Sequence, residues 1–385
     1  MTAGPPLPAR LGPLDDLMAR HFPLLPRTRP SCRPLPSRVA HVEHLVQQAA
    51  GQPPADALLR AAEAHNFAAL IASDCGMPDL ARTLCLRQYA TIRANAPVSI
   101  VAAKLALQPL VNLGRLHTRD GDGDAAHRVF QTLFTTVRDR RHADLDALHF
   151  DARALVVDAD HAELTQWLWA VVLADGSRAL ARAGRWREAR DVAAAHHGIG
   201  ERLLDGRQVA VIDAYTRGDP DAQAMLEAST TPTAWERAVA SCLTAAWHLR
   251  TGHLTTDNVA AATDSYRQAV ASDVDATFAV RLGLAIASLA ADHPAPAAVI
   301  AHLEHTAIST GDAYIARDVL GAAHAASLTL GATHHLTTVV EHAGLDVGGM
   351  PEPLLTQLTN ATDAAEHAIA AAVAVGDRPP RSSHN

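Results

Sequence analysis

Gly184, Gly218 and Gly252 stand 34 residues apart, and each closes an alanine-rich, arginine-bearing stretch of helical length. Glycine adopts the left-handed conformation that ends a helix without the steric cost other residues carry there. A helix stop that recurs at one interval marks a structural unit that recurs at that interval, and this one is long enough for two helices and a turn. Such a unit cannot bury its apolar stripe alone, so units of this kind stack on their neighbours.

Composition agrees with an all-α chain. Hydrophobic residues make up 48% and aromatics only 4%, and alanine, which fills much of the difference, is the strongest helix former. Turn signals fall near residues 76, 121, 184, 218, 252, 292 and 331, with helical stretches between them from Ser37 to Val375. In Gly76-Met77-Pro78 a glycine ends one helix and a proline begins the next. A second pattern lies around Gly121, where Leu113-Gly114, His117, Ala126 and Phe130 take fixed offsets from the turn.

These offsets and the 34-residue interval resemble the tetratricopeptide repeat. The resemblance implies a right-handed α-solenoid of stacked helix-turn-helix repeats over residues 37–375. The chain is also similar to the helical sensor portion of actinobacterial regulators. In tetratricopeptide arrays the first helix of each pair lines a concave groove, and residues six and two before the turn glycine face into it. Those positions are Arg115 and Arg119, then Arg178 and Arg182, then Arg250. Each pair is spaced i, i+4, which sets both guanidinium groups on one helix face. A ladder of this kind grips carboxylates or phosphates bidentately. Before Gly218 the same positions hold Ile212 and Thr216, so the ladder is interrupted there.

Residues 1–36 hold nine of the 22 prolines and are expected to form a proline-rich mobile leader, with one short helix available over Leu11–Phe22. Residues 376–385 share that composition and are expected to be a disordered tail. A net charge of −8 argues against direct binding of nucleic acid, which needs a cationic footprint. No apolar run reaches the length of a membrane span, and four scattered cysteines suit a reducing cytoplasm.

Enzyme classes fall away on residue counts. Lys104 is the only lysine and no glycine-rich loop precedes it, which removes P-loop and pyridoxal-phosphate chemistry. No nucleophile elbow or dinucleotide fingerprint occurs. The polar segment 138–163, with His142, Asp144, His149, His161 and Glu163, is the one place where a helical enzyme or accessory factor of specialised metabolism could hold a metal. His161-Ala162-Glu163 lacks the following P-C-x-x-C of zinc deaminases, and the segment reads as a solvated connecting loop or helix face. Neither His41-x-x-His44 nor His302-x-x-His305 has a third ligand in sequence, and no cofactor or metal is expected. The leading expectation is a regulatory or protein-interaction scaffold that takes a protein or peptide partner, with acidic groups its natural complement. A co-regulator of transcription responding to a peptide or small molecule is the remaining reading.

Overall fold

The computed structural model describes residues 13–145, 148–290, 297–322 and 327–376, and these are predominantly helical. In chain order come α1 (Pro13–His21), α2 (Leu35–Ala49), α3 (Pro54–Asp74), α4 (Pro78–Arg93), α5 (Ile100–Arg119) and α6 (Gly123–Arg138). A two-stranded antiparallel hairpin follows, β1 (His142–Leu145) and β2 (Leu148–Asp151). Next, α7 (Asp158–Val171) runs through a π-helical turn, Val172–Gly176, into α8 (Ser177–Arg182). The later helices are α9 (Trp186–Ala195), α10 (Asp205–Arg217), α11 (Ala222–Glu227), α12 (Ala234–Arg250), α13 (Thr256–Ala271) and α14 (Ala276–Leu289). The last are α15 (Ala297–Thr310), α16 (Ala313–Leu320), α17 (Leu330–Ala343) and α18 (Glu352–Gly376).

The turn glycines behave as their spacing requires. Gly76, Gly121, Gly184, Gly218 and Gly252 all have φ between 66° and 80°. Each makes the same pair of closing bonds. At Gly121, for instance, its N–H donates to Thr118 O (3.3 Å) while Asp122 N–H donates to His117 O (2.9 Å). This two-bond closure satisfies carbonyls that the helix end would otherwise leave bare. Helix starts are equally local. Pro78 opens α4, Ser99 Oγ accepts from Ala102 N–H, and Asp122 Oδ1 accepts from Ala125 N–H.

Two non-local fits complete α5. Pro109 has no N–H for the carbonyl of Leu105 one turn back. The buried Gln88 of α4 supplies the missing donor, Nε2 to Leu105 O at 3.0 Å. Five residues on, Gly114 makes room for a ring of α6: a Cβ there would lie 2.6 Å from Phe130 Cε1 and Cζ. The Gly114–Phe130 offset seen in the sequence is therefore a direct helix–helix contact.

The chain divides into two compact units. Unit 1 takes the described residues within Met1–Arg29, Leu180–Thr306 and Gly321–Leu328; unit 2 takes those within Pro30–Ala179, Ala307–Leu320 and Thr329–Asn385. In unit 1, α9 packs on α10, α12 on α13, both α12 and α13 on α14, and α1 on α14. In unit 2, α2 to α6 pack each on the next, and α18 returns to cover α3, α2 and α4. Arg87 of α4 ties that return, pairing with Asp363 (2.6 Å) and Glu366 of α18. One array running from residue 37 to 375 was expected; instead the C-terminal helices join the unit of the N-terminal ones.

The expected mobile leader needs correction from residue 13 onward. Leu17, Met18, Phe22, Leu24 and Cys32 are all buried. Prolines forbid a long helix, but they do not forbid an extended strand that buries the apolar residues between them. Residues 1–12 of that leader and 377–385 of the expected tail lie outside the described residues.

Candidate functional site

Arg115 and Arg119, four residues apart near the end of α5, line one cleft of about 280 Å³ in unit 2. Its apolar wall comes from Phe67 and Leu70 of α3 together with Leu116 and Pro30. Asn66 of α3 and Asn112 of α5 add amide groups, joined by a bond from Asn112 Nδ2 to Asn66 Oδ1. Asn112 Oδ1 also accepts from Arg115 Nη1 at 3.1 Å. No carboxylate lines the cleft.

Each arginine is positioned from behind. Arg115 forks onto Asp175, with Nε–Oδ1 at 3.2 Å and Nη2–Oδ2 at 2.9 Å. Asp175 sits in the π-helical turn between α7 and α8, where the widened turn aims its carboxylate at the guanidinium. Arg119 donates from Nη1 to Ser73 Oγ (2.6 Å) and pairs with Asp74 Oδ1 at 3.1 Å. Asp74 is a hub at the end of α3, with its side chain 1% exposed. Its Oδ2 takes Arg38 of α2 at 2.8 Å and the hydroxyl of Tyr314 from α16. Burial pushes the Tyr314 hydroxyl well above the usual tyrosine range, with the Asp74 charge adding to the shift. Arg38 reaches on to Ala343 O, tying the end of α17 to the same hub.

A second cavity of about 480 Å³ shares Pro30, Phe67 and Leu70 with the first and is floored by Arg38 and Tyr314. One carboxylate thus serves guanidinium groups from two adjoining cavities. Cys32 lies in its wall, and burial pushes that thiol up to about 12, so it stays protonated and unreactive at neutral pH.

The other expected groove arginines lie elsewhere. Arg178 opens α8 in unit 2. Arg182 and Arg250 belong to unit 1, and both hold α1. Arg182 Nη1 donates to Arg20 O at 3.0 Å; Arg250 pairs with Asp15 at 3.3 Å and donates to Thr216 O at 2.7 Å. The structure brings Arg115 and Arg119 together at one cleft and puts Arg182 and Arg250 on one bound segment.

The acidic-histidine segment is not the loop or helix face expected of it. Residues 142–151 form the β1–β2 hairpin, in register His142↔Asp151 and Asp144↔His149. Leu145 and Phe150 are buried beneath it. The period-two alternation of His142, Asp144, His149 and Asp151 with Ala143, Leu145, Leu148 and Phe150 carried that signal. His149 Nδ1 meets Asp144 Oδ1 at 3.1 Å, His161 Nε2 meets Val137 O at 2.8 Å, and Glu163 pairs with Lys104. Among the described residues no three His, Cys, Asp or Glu side chains converge as a metal site. Likewise His41 lies edge-on to Phe67, and His302 contacts Thr306 and the Tyr266 ring.

Phe67, Asn66, Asn112, Asp74 and Tyr314 were not singled out from sequence. A lone asparagine within an apolar helical run, as in Leu110-Val111-Asn112-Leu113, is a local inconsistency that marks such positions. No family model, curated protein or solved structure matches this chain.

Proposed function

We propose that the chain is a tetratricopeptide-like helical repeat protein of the right-handed solenoid type, acting as a regulatory or interaction module that binds a segment of another protein. The observation that carries this reading is the cleft of Arg115 and Arg119: two guanidinium groups at i, i+4 beside an apolar wall, with no carboxylate in the lining. Their side chains keep 49% and 41% exposure, so each has donors left for a ligand anion beyond its own counter-ion. The fitting ligand is a short stretch with a carboxylate next to a large apolar side chain, the latter seated against Phe67 and Leu70. The consecutive pairing of helices in unit 1 and the five equivalent glycine turns support the repeat reading. Four buried, unbridged cysteines support placement in a reducing cytoplasm, and no described helix is long and apolar enough to cross a membrane.

Affinity capture from native lysate with the full chain, compared with Arg115→Glu, tests the reading. Arg115 is the better target because Arg119 shares the buried Asp74. Partners held by the wild type should be lost from Arg115→Glu while its melting temperature is kept. Equal capture by both proteins would refute the cleft as the binding site.

A further inference from the structure

In unit 1 the described N-terminal segment behaves as a bound ligand. Residues 13–27 run as a short helix and then an extended stretch, touching helices that open successive pairs. Arg20 O accepts from Arg182 of α8, and Asp15 pairs with Arg250 of α12. The helix α1 packs on α14. The extended part docks on α10: Leu24 N–H donates to Gln208 Oε1 at 2.8 Å, and Gln208 Nε2 returns to Leu24 O at 2.9 Å. Arg27 closes the run on Asp205. Met18, Phe22 and Leu24 are at most 2% exposed. Gln208 is itself fully buried, and a buried amide that pairs both backbone groups of one residue is how a groove holds an extended peptide.

We propose that residues 13–27 are an intrasteric ligand of unit 1, covering a surface whose partner in trans is a protein segment of the same pattern: an acidic helical turn, buried apolar side chains, then an extended proline-bearing stretch. The proposal rests on unit 1 and does not depend on the Arg115–Arg119 cleft. Only the first helix and two or three side chains anchor the segment, and its single covalent link leads onward through Thr28 and Arg29. A tethered ligand of this kind competes through its high effective concentration, so a free segment binds weakly until the tether's own contacts are loosened.

The test uses the full chain and a fluorescein-labelled synthetic peptide of residues 13–29, read by fluorescence anisotropy. The wild type should bind it weakly. Phe22→Ala with Leu24→Ala, which empties the two deepest apolar contacts, should tighten binding on the order of a hundredfold. Adding Gln208→Ala to that variant should abolish the gain, and a peptide with Asp15 and Asp16 as asparagine should bind several-fold less tightly. If the loosened chain keeps its helix content but binds no peptide, the segment is not a ligand and the proposal fails. If the loosened chain loses helix content in α10 to α14, by amide hydrogen exchange, the segment is a structural part of unit 1 and the proposal fails equally.

Discussion

His65 on α3 should make the stability of unit 2 fall in mildly acidic solution, and replacing it should remove that loss. The side chain is fully buried, and neither Nδ1 nor Nε2 has a hydrogen-bond partner among the described residues. Burial, with a smaller contribution from Arg87, lowers its pKa from 6.5 to about 4, against a partial offset from Glu366 and Asp363. A base held below its unfolded value binds fewer protons folded than unfolded. Folding is then unaffected above about pH 6.5, loses stability as pH falls from there, and stops losing once pH passes about 4. Between pH 7.5 and 4.5 that shift amounts to about 2.5 kcal/mol. His65→Leu keeps the apolar volume and removes the titrating group, so it should be neutral or slightly stabilising at pH 7.5. Urea denaturation of both proteins at the two pH values isolates the effect. Other histidines, including His21, whose pKa burial also lowers to about 4, contribute equally to both curves and cancel. The variant should lose about 2.5 kcal/mol less than the wild type on acidification. Equal losses would mean that His65 is solvated or paired in the folded chain, and the reasoning from its burial would be wrong.

Three further substitutions probe the packing around the cleft. Gly114→Ala should destabilise by about 1–3 kcal/mol although alanine favours helix, because its Cβ would meet the Phe130 ring; Phe130→Leu should relieve the cost, and an additive double mutant would argue against the contact. Gln88→Leu strips the carbonyl of Leu105 of its donor and should cost about 1–3 kcal/mol, much of it recovered by Pro109→Ala, which restores a backbone N–H in reach; no recovery on denaturation would disprove the substitution of one donor for the other. Asp74→Asn leaves Arg38 and Arg119 sharing no carboxylate and should cost about 3–5 kcal/mol in unit 2, since Arg38 is mostly buried; a loss under about 1 kcal/mol would show the hub to be solvent-screened.

The local grammar of this chain was legible in its residues. Glycine at the end of a helix, proline at the start of one and the recurrence of both are decided within a few residues, and the five glycines close their helices as their spacing implies. The i, i+4 placement of Arg115 and Arg119 is likewise a property of one helix, and it put both on one cleft. The same rule linked Arg178 to Arg182, but Arg182 binds the N-terminal segment instead, and nothing near residue 182 records that. The hairpin at 142–151 was written in alternation, though its polarity masked it.

Tertiary structure decided whatever depends on partners far apart in the chain. Asp74 becomes a hub only because Arg38, Arg119 and Tyr314 arrive from three other helices. Phe22 and Leu24, in a stretch whose prolines suggested an unattached leader, are buried because Gln208 offers their backbone a place to bond. The sequence by itself determined an all-α chain, where its helices stop and which arginines share a face, since those follow from backbone sterics over one or two turns. Which helix covers which, and which of those arginines keeps donors for a ligand, follow from contacts across up to some 300 residues, where burial and charge pairing are settled only by the assembled unit.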